Sequence, residues 1–187
     1  MRLDSFRHLY MEELRDLYDA ECQLLKELPA IADAAVLPEL RQLFANHIEQ
    51  TKAHVERLED IFERLRVDPR GNACKTMEGL IAECNDLIKE ERNADPGVLD
   101  AALIAATQKI EHFEIAGYGC ARTFASILGE KKAAQILQLS LEEEGQTNKR
   151  LNDLALCSVN LEAVEATDDD SELREAIVSA LEAVERS

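Results

Sequence analysis

The stretch LDAALIAATQKIEHFEIAGYGCARTFASILG, residues 99–129, decides the fold class. Its apolar residues recur at the spacing of one helix face, and Gly129 is typical of the position just after a helix C-terminus. Glu114 falls at the edge of the apolar face, and Glu111 lies one turn earlier, towards its flank. The stretch therefore predicts a long helix that carries carboxylates towards a protein core.

Long helices account for most of the remaining chain. Apolar residues repeat at helical spacing over about residues 6–35 (segment A), 38–66 (segment B), 99–129 (segment C) and 130–155 (segment D). A shorter helix is predicted at about 76–92, between the loop signals VDPRGN and NADPG. Segments A and B form one tight hairpin, C and D form another, and a long crossover joins them. One such crossover is typical of the ferritin-like class of four-helix bundles.

The end of the chain has a different character. An acidic TDDDSE patch supplies a helix start, and SELREAIVSALEAVERS carries its apolar residues on one face. We expect this short amphipathic helix to dock on the bundle or on another subunit, with a disordered tail as the alternative. The sequence thus predicts a helical bundle over 1–158, followed over 159–187 by an acidic linker and an extra C-terminal helix.

Composition supports an all-α, cytoplasmic protein. The 187 residues include only 7 glycines and 4 prolines, as expected for long helices. With 38 acidic and 21 basic residues the formal charge is −17, which disfavours nucleic acid and anionic lipid as partners. The first residues resemble no secretory leader, and no apolar run is long enough for a membrane span. Five scattered cysteines are typical of a reducing compartment.

Polar residues interrupt the apolar stripes at matching depth. At 100° per residue, Glu21 falls in the stripe of segment A, and His54 falls in that of segment B. In segment D only Glu144 of three consecutive glutamates points inward, and Glu142 and Glu143 are expected to be solvated. Glu114 and Glu144 each lie 15 residues from Gly129, so they face each other across the hairpin.

Buried carboxylates cost several kcal/mol each unless they are protonated, hydrogen-bonded, paired or bound to a metal. No inward Lys or Arg is evident at their level, which favours a metal or trapped protons. Inward glutamates with a histidine one turn along are the ligand pattern of di-iron carboxylate bundles. His47 is interpreted as structural, because it lies two turns from His54 and no acid is evident near it. Tyr18 and Tyr118 are possible hydrogen-bond partners of the carboxylates, and aromatic packing explains them equally well.

Five stretches carry a family resemblance: YDAECQLLKELP, HIEQTKAHVERL, MEGLIAECNDLI, DAALIAATQKIEHFEIAGYG and LEEEGQTNKRLNDLA. Together they cover about residues 6–158, and they resemble the YciE/YciF family of bacterial ferritin-like stress proteins. The resemblance implies a bundle loosely similar to rubrerythrin, usually dimeric and often called metal-binding. The family's main label is its association with stress.

Matched to the di-iron pattern of rubrerythrin, the chain supplies most of the ligands. The bridging glutamate of the second helix is replaced by Thr51, and the last histidine or aspartate falls on Asn148. Thr and Asn are weak neutral ligands, which disfavours a complete di-iron site. The resemblance implies five metal ligands, which are Glu21, His54, Glu111, Glu114 and Glu144.

The leading hypothesis is therefore a ferritin-like homodimer whose ligands hold one or two iron or manganese ions and which reacts with peroxide or dioxygen. The alternative is a non-enzymatic, dimeric helical interaction protein with a degenerate metal site, which Thr51 and Asn148 favour. The sequence leaves open whether the protein is an enzyme. A hydrolase or transferase is disfavoured, because the chain contains no nucleophile elbow, P-loop or dinucleotide-binding motif.

Overall fold

The structure is a computed structural model, and it describes residues 4–90 and 94–167. Regular structure within these two ranges is helical throughout, which confirms the predicted all-α class. A π-helical turn at Ala155–Val159 joins the last two helices. The six α-helices are α1 (Phe6–Ala34), α2 (Pro38–Leu65), α3 (Lys75–Glu90), α4 (Pro96–Ile127), α5 (Lys131–Leu154) and α6 (Asn160–Thr167).

Local signals set the helix ends close to their predicted positions. The Ser5 side chain accepts a hydrogen bond from the backbone N–H of His8 and so caps the first turn of α1. Pro38 occupies the first turn of α2, where a backbone N–H would have no hydrogen-bond partner within the helix, so its absence costs nothing. Gly129 has a φ of +78°, a left-handed conformation that glycine adopts without strain, and it ends the segment that contains α4.

The four long helices form two antiparallel hairpins, α1 with α2 and α4 with α5, and α3 packs against α1 and α4 as the crossover. Asp100 joins the two hairpins near one end of the bundle. Its carboxylate accepts the backbone N–H of Val36 at 2.8 Å and that of Leu37 at 2.7 Å. Asp100 is buried, so this contact ties the α1–α2 turn directly to the first turns of α4.

The apolar core is divided into two parts along the bundle axis. One cluster lies near the α1–α2 turn and includes Leu24, Phe44 and Ile110. The other lies near the α4–α5 turn and includes Leu14 and Leu58. The buried polar side chains come from helix positions between these clusters. Each apolar part can therefore stabilise the bundle on its own side of the polar layer.

Helical structure continues past the predicted boundary at residue 158, because the π-helical turn leads directly into α6. α6 packs closely on α4: a Cβ added at Gly97 would lie 3.1 Å from the Cα of Ala163. The amphipathic helix predicted after the acidic patch lies outside the described residues, and the division of the chain at 158 stays a prediction. Within residues 4–90 and 94–167, no helix is long and apolar enough to cross a membrane.

Candidate metal centre

A cluster of seven buried polar side chains, here called the polar cluster, lies in the middle of the bundle. All four long helices contribute to it, and each member is at most 2% exposed. Such a concentration of acids and imidazoles in a protein interior needs a compensating proton, hydrogen bond or cation. Its members are Glu21 on α1, His47, Thr51 and His54 on α2, Glu111 and Glu114 on α4, and Glu144 on α5.

Helical periodicity turns these residues inward. On α1, Glu21 lies four residues after Leu17 and three before Leu24, and both leucines are buried. On α4, Glu114 lies four residues after the buried Ile110 and four before the buried Tyr118. The apolar neighbours that fix each helix against the core therefore also force the intervening carboxylate into it.

The first part of the polar cluster surrounds the imidazole of His54. The Nδ1 atom of His54 lies 2.8 Å from Oε1 of Glu144 and 3.2 Å from Oε1 of Glu21. Neither contact has the geometry of a hydrogen bond. On the other side of Glu21, the Tyr118 hydroxyl donates a hydrogen bond to Oε1 at 2.5 Å. One ring nitrogen and two carboxylates thus converge on one point.

The second part of the polar cluster surrounds His47. Its Nε2 atom lies 3.3 Å from Oε1 of Glu111, and its Nδ1 atom lies 4.0 Å from Oε2 of Glu144. Donor atoms of His47, Glu111, Glu114 and Glu144 all lie within 4.8 Å of one another, as do those of Glu21, His54 and Glu144. Glu144 belongs to both groups, so the two parts adjoin at its carboxylate.

Several members of the polar cluster have no hydrogen-bond partner among the described residues. Glu114 is the clearest example, because both of its carboxylate oxygens are unpartnered and its side chain is fully buried. Both oxygens of Glu144, both ring nitrogens of His47 and the hydroxyl of Thr51 are also unpartnered by hydrogen bonds. An unsatisfied buried polar atom costs about 1–3 kcal/mol, and more when it is charged. A bound cation would satisfy them together.

The protonation equilibria reflect this crowding. Burial, together with the charges of neighbouring carboxylates, raises the pKa of Glu114 and of Glu111 well above the usual range. Burial lowers the pKa of His47 and so favours its neutral imidazole. For His54 burial acts in the same direction, but contacts with Glu144 and Glu21 outweigh it and raise the pKa to about 11. Without a cation, the polar cluster therefore retains protons that a metal would displace.

The structure places all five predicted ligands in the polar cluster, and it adds His47. The expectation that His47 has no acid nearby is wrong, because Glu111 faces it from α4. Asn148 does not join the polar cluster: it is half-buried and accepts a hydrogen bond from Gln108. The buried residue one turn after Glu144 is Thr147. Sequence spacing contained one signal for His47, which is its position one turn before Thr51 on the same face.

Glu143 also differs from expectation, because it is half-buried and not simply solvated. Its Oε2 atom lies 2.8 Å from Nε2 of His54 and accepts a second hydrogen bond from Arg57. Of the two tyrosines, Tyr118 contacts a carboxylate of the polar cluster, whereas Tyr18 donates to Glu59 away from it. Glu142 is exposed, as predicted.

Comparison with known proteins identifies relatives over most of the chain. The family model described as a domain of unknown function, DUF892, matches residues 5–165. Protein YciF of Escherichia coli K12 is 40% identical over 164 residues, which are 87% of this chain and 98% of that protein.

Solved structures agree with this match. The crystal structure of the E. coli stress protein YciF has a TM-score of 0.80 at 41% identity, and the match covers 84% of this chain and 98% of that one. YcfI of Rhodopseudomonas palustris has a TM-score of 0.77 at 37% identity, over 80% and 94% of the two chains. A protein of Xanthomonas campestris, 21% identical with a TM-score of 0.64 over 98% and 100%, shows likeness of fold alone. These matches support the predicted bundle.

Proposed function

The chain belongs to the DUF892 family, and on that premise we propose that its polar cluster binds two divalent transition-metal ions, iron or manganese. The observation that carries the proposal is Glu114, whose carboxylate is fully buried and lacks a hydrogen-bond partner at either oxygen. Carboxylates and imidazoles are the donors that such ions take in helical bundles. The side chains of the polar cluster therefore fit a pair of such ions.

The two positions have different ligand sets. Glu21 and His54 serve the first position, and His47, Glu111 and Glu114 serve the second. Glu144 would serve both, because its carboxylate belongs to both groups of donor atoms that lie within 4.8 Å of one another.

The distances between donor atoms support these sets. Two donor atoms that would hold one such cation, each about 2.0–2.2 Å from it, must lie within about 4.4 Å of each other. The contacts of 2.8, 3.2 and 3.3 Å between ring nitrogens and carboxylates all lie within this limit.

Charge supports a pair of ions. The four glutamates of the polar cluster carry four negative charges when ionised, and two divalent cations balance them while both imidazoles are neutral. The second imidazole comes from His47, because Asn148 stands at the position where a histidine or aspartate was expected. This extra ligand offsets part of the loss of the bridging carboxylate, which Thr51 replaces. Because burial lowers the pKa of His47, its imidazole is neutral and keeps a ring nitrogen free for a cation.

When bound, iron or manganese would supply redox chemistry with peroxide or dioxygen. This chemistry is consistent with the similarity to an E. coli protein that is described as a stress protein. The chain's own residues would exclude bulk water and orient the ligands. Tyr118 holds Oε1 of Glu21 by its hydroxyl group, and the two apolar clusters close the site above and below. By the family resemblance, the proposal includes a cytoplasmic homodimer, which sedimentation velocity tests.

Metal content tests the proposal directly. Protein purified without affinity tags or chelators is analysed for bound metals, then stripped and titrated with Mn²⁺ or anaerobic Fe²⁺. Two ions per chain are expected, with one lost in the His47→Gln variant. His112→Gln is the matched control, because His112 is exposed on α4 and outside the polar cluster. Less than one tenth of an ion per chain, with no uptake on titration, would refute the proposal.

A second function is favoured by Thr51, a neutral side chain at the position of a bridging carboxylate. On this alternative the protein is a non-enzymatic helical interaction protein, and its polar cluster retains protons permanently. Glu144→Leu distinguishes the two. The alternative is supported if the wild type takes up no metal and the variant melts at a higher temperature and remains a dimer. The first proposal is supported if the wild type binds metal and the variant loses measurable binding.

A further inference from the structure

The run Glu142, Glu143 and Glu144 on α5 places three glutamates in three environments. Glu142 is exposed and accepts a hydrogen bond from Gln138 of its own helix. Glu144 lies in the polar cluster. Glu143 lies between the two and contacts the far side of the imidazole of His54, at 2.8 Å from Nε2. It therefore touches a proposed ligand on the side that faces away from the polar cluster.

This contact fixes the roles of the two ring nitrogens. A carboxylate only accepts hydrogen bonds, so the Nε2 atom of His54 must carry the proton that Glu143 receives. The other nitrogen, Nδ1, then faces Glu21 and Glu144. The rings of Tyr118 and His54 pack in a T-shaped arrangement with their centres 5.8 Å apart, which further limits rotation of the imidazole.

Arg57 holds Glu143 in place. It lies one turn after His54 on α2, and its guanidinium donates to both oxygens of Glu143, at 2.6 and 2.9 Å. One of the same nitrogens also donates to the hydroxyl of Ser140, 3.2 Å away on α5. Such a two-point contact fixes the plane of a carboxylate as well as its distance. The guanidinium also places a positive charge directly beside both oxygens of Glu143.

We propose that Glu143 is a positioning residue that orients His54 to bind a cation through Nδ1, and that Arg57 clamps Glu143 for this role. The inference rests on the proposed function in one respect, which is that a cation occupies the Nδ1 side. Histidine ligands in proteins commonly donate their other ring N–H to a carboxylate, and loss of that partner costs about 10–100-fold in metal affinity.

A purely structural role for the same contacts predicts something different. Arg57 and Glu143 are each about one quarter to one third exposed, at 26% and 30%. A partly exposed ion pair of this kind contributes about 0–1 kcal/mol to stability. If the pair only joined α2 to α5, its removal would lower the melting temperature slightly and leave cation affinity and the state of His54 unchanged.

The experiment compares Glu143→Ala, Glu143→Gln and Glu142→Ala, the last as a matched control on the same helix. Long-range ¹H–¹⁵N NMR of the metal-free proteins reports whether the Nε2 proton of His54 is protected from exchange. Titration of the stripped proteins with Mn²⁺ gives the dissociation constant. We expect Glu143→Ala to lose the protected proton and to bind Mn²⁺ about 10–100-fold more weakly.

The other variants sharpen the outcome. Glu143→Gln keeps an acceptor oxygen but no charge, so its Mn²⁺ affinity should lie between those of the wild type and Glu143→Ala. Glu142→Ala should bind within about twofold of the wild type, because Glu142 does not contact His54. If Glu143→Ala does not fold, Glu143→Gln and Arg57→Gln carry the test with the same two measurements.

Two failures are distinguishable. If the wild type binds Mn²⁺ and Glu143→Ala binds it equally well with an unchanged His54 signal, the positioning role is refuted while the proposed function stands. If the wild type binds neither Mn²⁺ nor Fe²⁺, the proposed function fails and Glu143 orients no ligand. In that case a signal unchanged in Glu143→Ala would show that Glu143 does not orient the ring at all.

Discussion

Glu114→Gln should stabilise the metal-free protein at neutral pH, although it removes a proposed ligand. Glu114 is fully buried, and neither of its carboxylate oxygens has a hydrogen-bond partner among the described residues. Glutamine has the same shape, carries no charge and can donate from its amide to the neighbouring carboxylates. The substitution therefore removes an ionisable group from the bundle interior without leaving a cavity.

The size of the effect follows from proton linkage. Burial, and then the charges of Glu21 and Glu144, raise the folded-state pKa of Glu114 well above its usual range. Between the unfolded and folded pKa values, the folded chain holds a proton that the unfolded chain has released. Stability in this window falls as pH rises, by up to about 1.4 kcal/mol per pH unit for one group. Glutamine does not titrate, so the variant lacks this loss.

Urea denaturation of chelator-treated protein at several pH values measures the difference. Near pH 4.5, at the ordinary pKa of the unfolded carboxyl group, the two proteins should be similar, and by pH 7.5 the variant should be more stable by about 1–3 kcal/mol. Glu142→Gln controls for the loss of a surface charge and should show no such divergence. Saturating Mn²⁺ should reverse the order, since ligand at about 1,000 times its dissociation constant stabilises by about 4.1 kcal/mol. A variant less stable than wild type at pH 7.5, or a pH-independent difference, contradicts the reasoning.

Three further substitutions and a change of pH have expected outcomes. Asp100→Ala removes the acceptor for two backbone N–H groups of the α1–α2 turn, and urea denaturation should show a loss of about 2–4 kcal/mol. Gly97→Ala should speed hydrogen exchange in α6, because the new Cβ would meet the backbone of Ala163. Gly79→Ala, on the exposed face of α3 where a Cβ would meet nothing within 4 Å, should stabilise the protein by about 0.5–1 kcal/mol. Contacts with Glu144 and Glu21 raise the pKa of His54 to about 11, so the imidazole is protonated at pH 7.5 in the metal-free protein. Mn²⁺ binding should therefore release protons, and the affinity for Mn²⁺ should rise with pH. Calorimetry in buffers of different ionisation enthalpy measures both effects.

The fold could be predicted because its signals are local. Long apolar stripes at helical spacing fixed the long helices, and Pro38 and Gly129 marked ends that the structure retains. A tight turn also fixes the register within a hairpin, so counting from Gly129 brought Glu114 and Glu144 to the same depth. These inferences need only the rise per residue and the direction of each side chain.

Contacts between the two hairpins could not be predicted in the same way. His47 on α2 meets Glu111 on α4, and the two helices are joined through a long crossover that leaves their relative height undetermined. Asp100 binds the α1–α2 turn from the other hairpin, and no periodic pattern marks such a cap. The missing information is the offset between the hairpins, which depends on tertiary packing.

Angular position alone also failed at the rim of the bundle. At 100° per residue, Glu143 points away from the stripe that contains Glu144, which is why it was expected to be solvated. Long side chains from a neighbouring helix can nevertheless cover such a position, and Arg57 does so here. Thr147 and Asn148 lie on either side of the direction of Glu144, so packing decides which of the two is buried.

The division of the apolar core explains how this fold can hold a destabilising polar cluster. Apolar side chains pack on both sides of it, and Asp100 ties the hairpins together near one end. Stability from these regions does not require a cation, so the metal-free chain can remain folded while the polar cluster holds protons. The same arrangement holds the donor atoms in place, so under the proposed function ion uptake would mainly exchange protons for metal. Substitutions in the polar cluster should therefore change metal affinity strongly, whereas substitutions in either apolar cluster should change mainly stability.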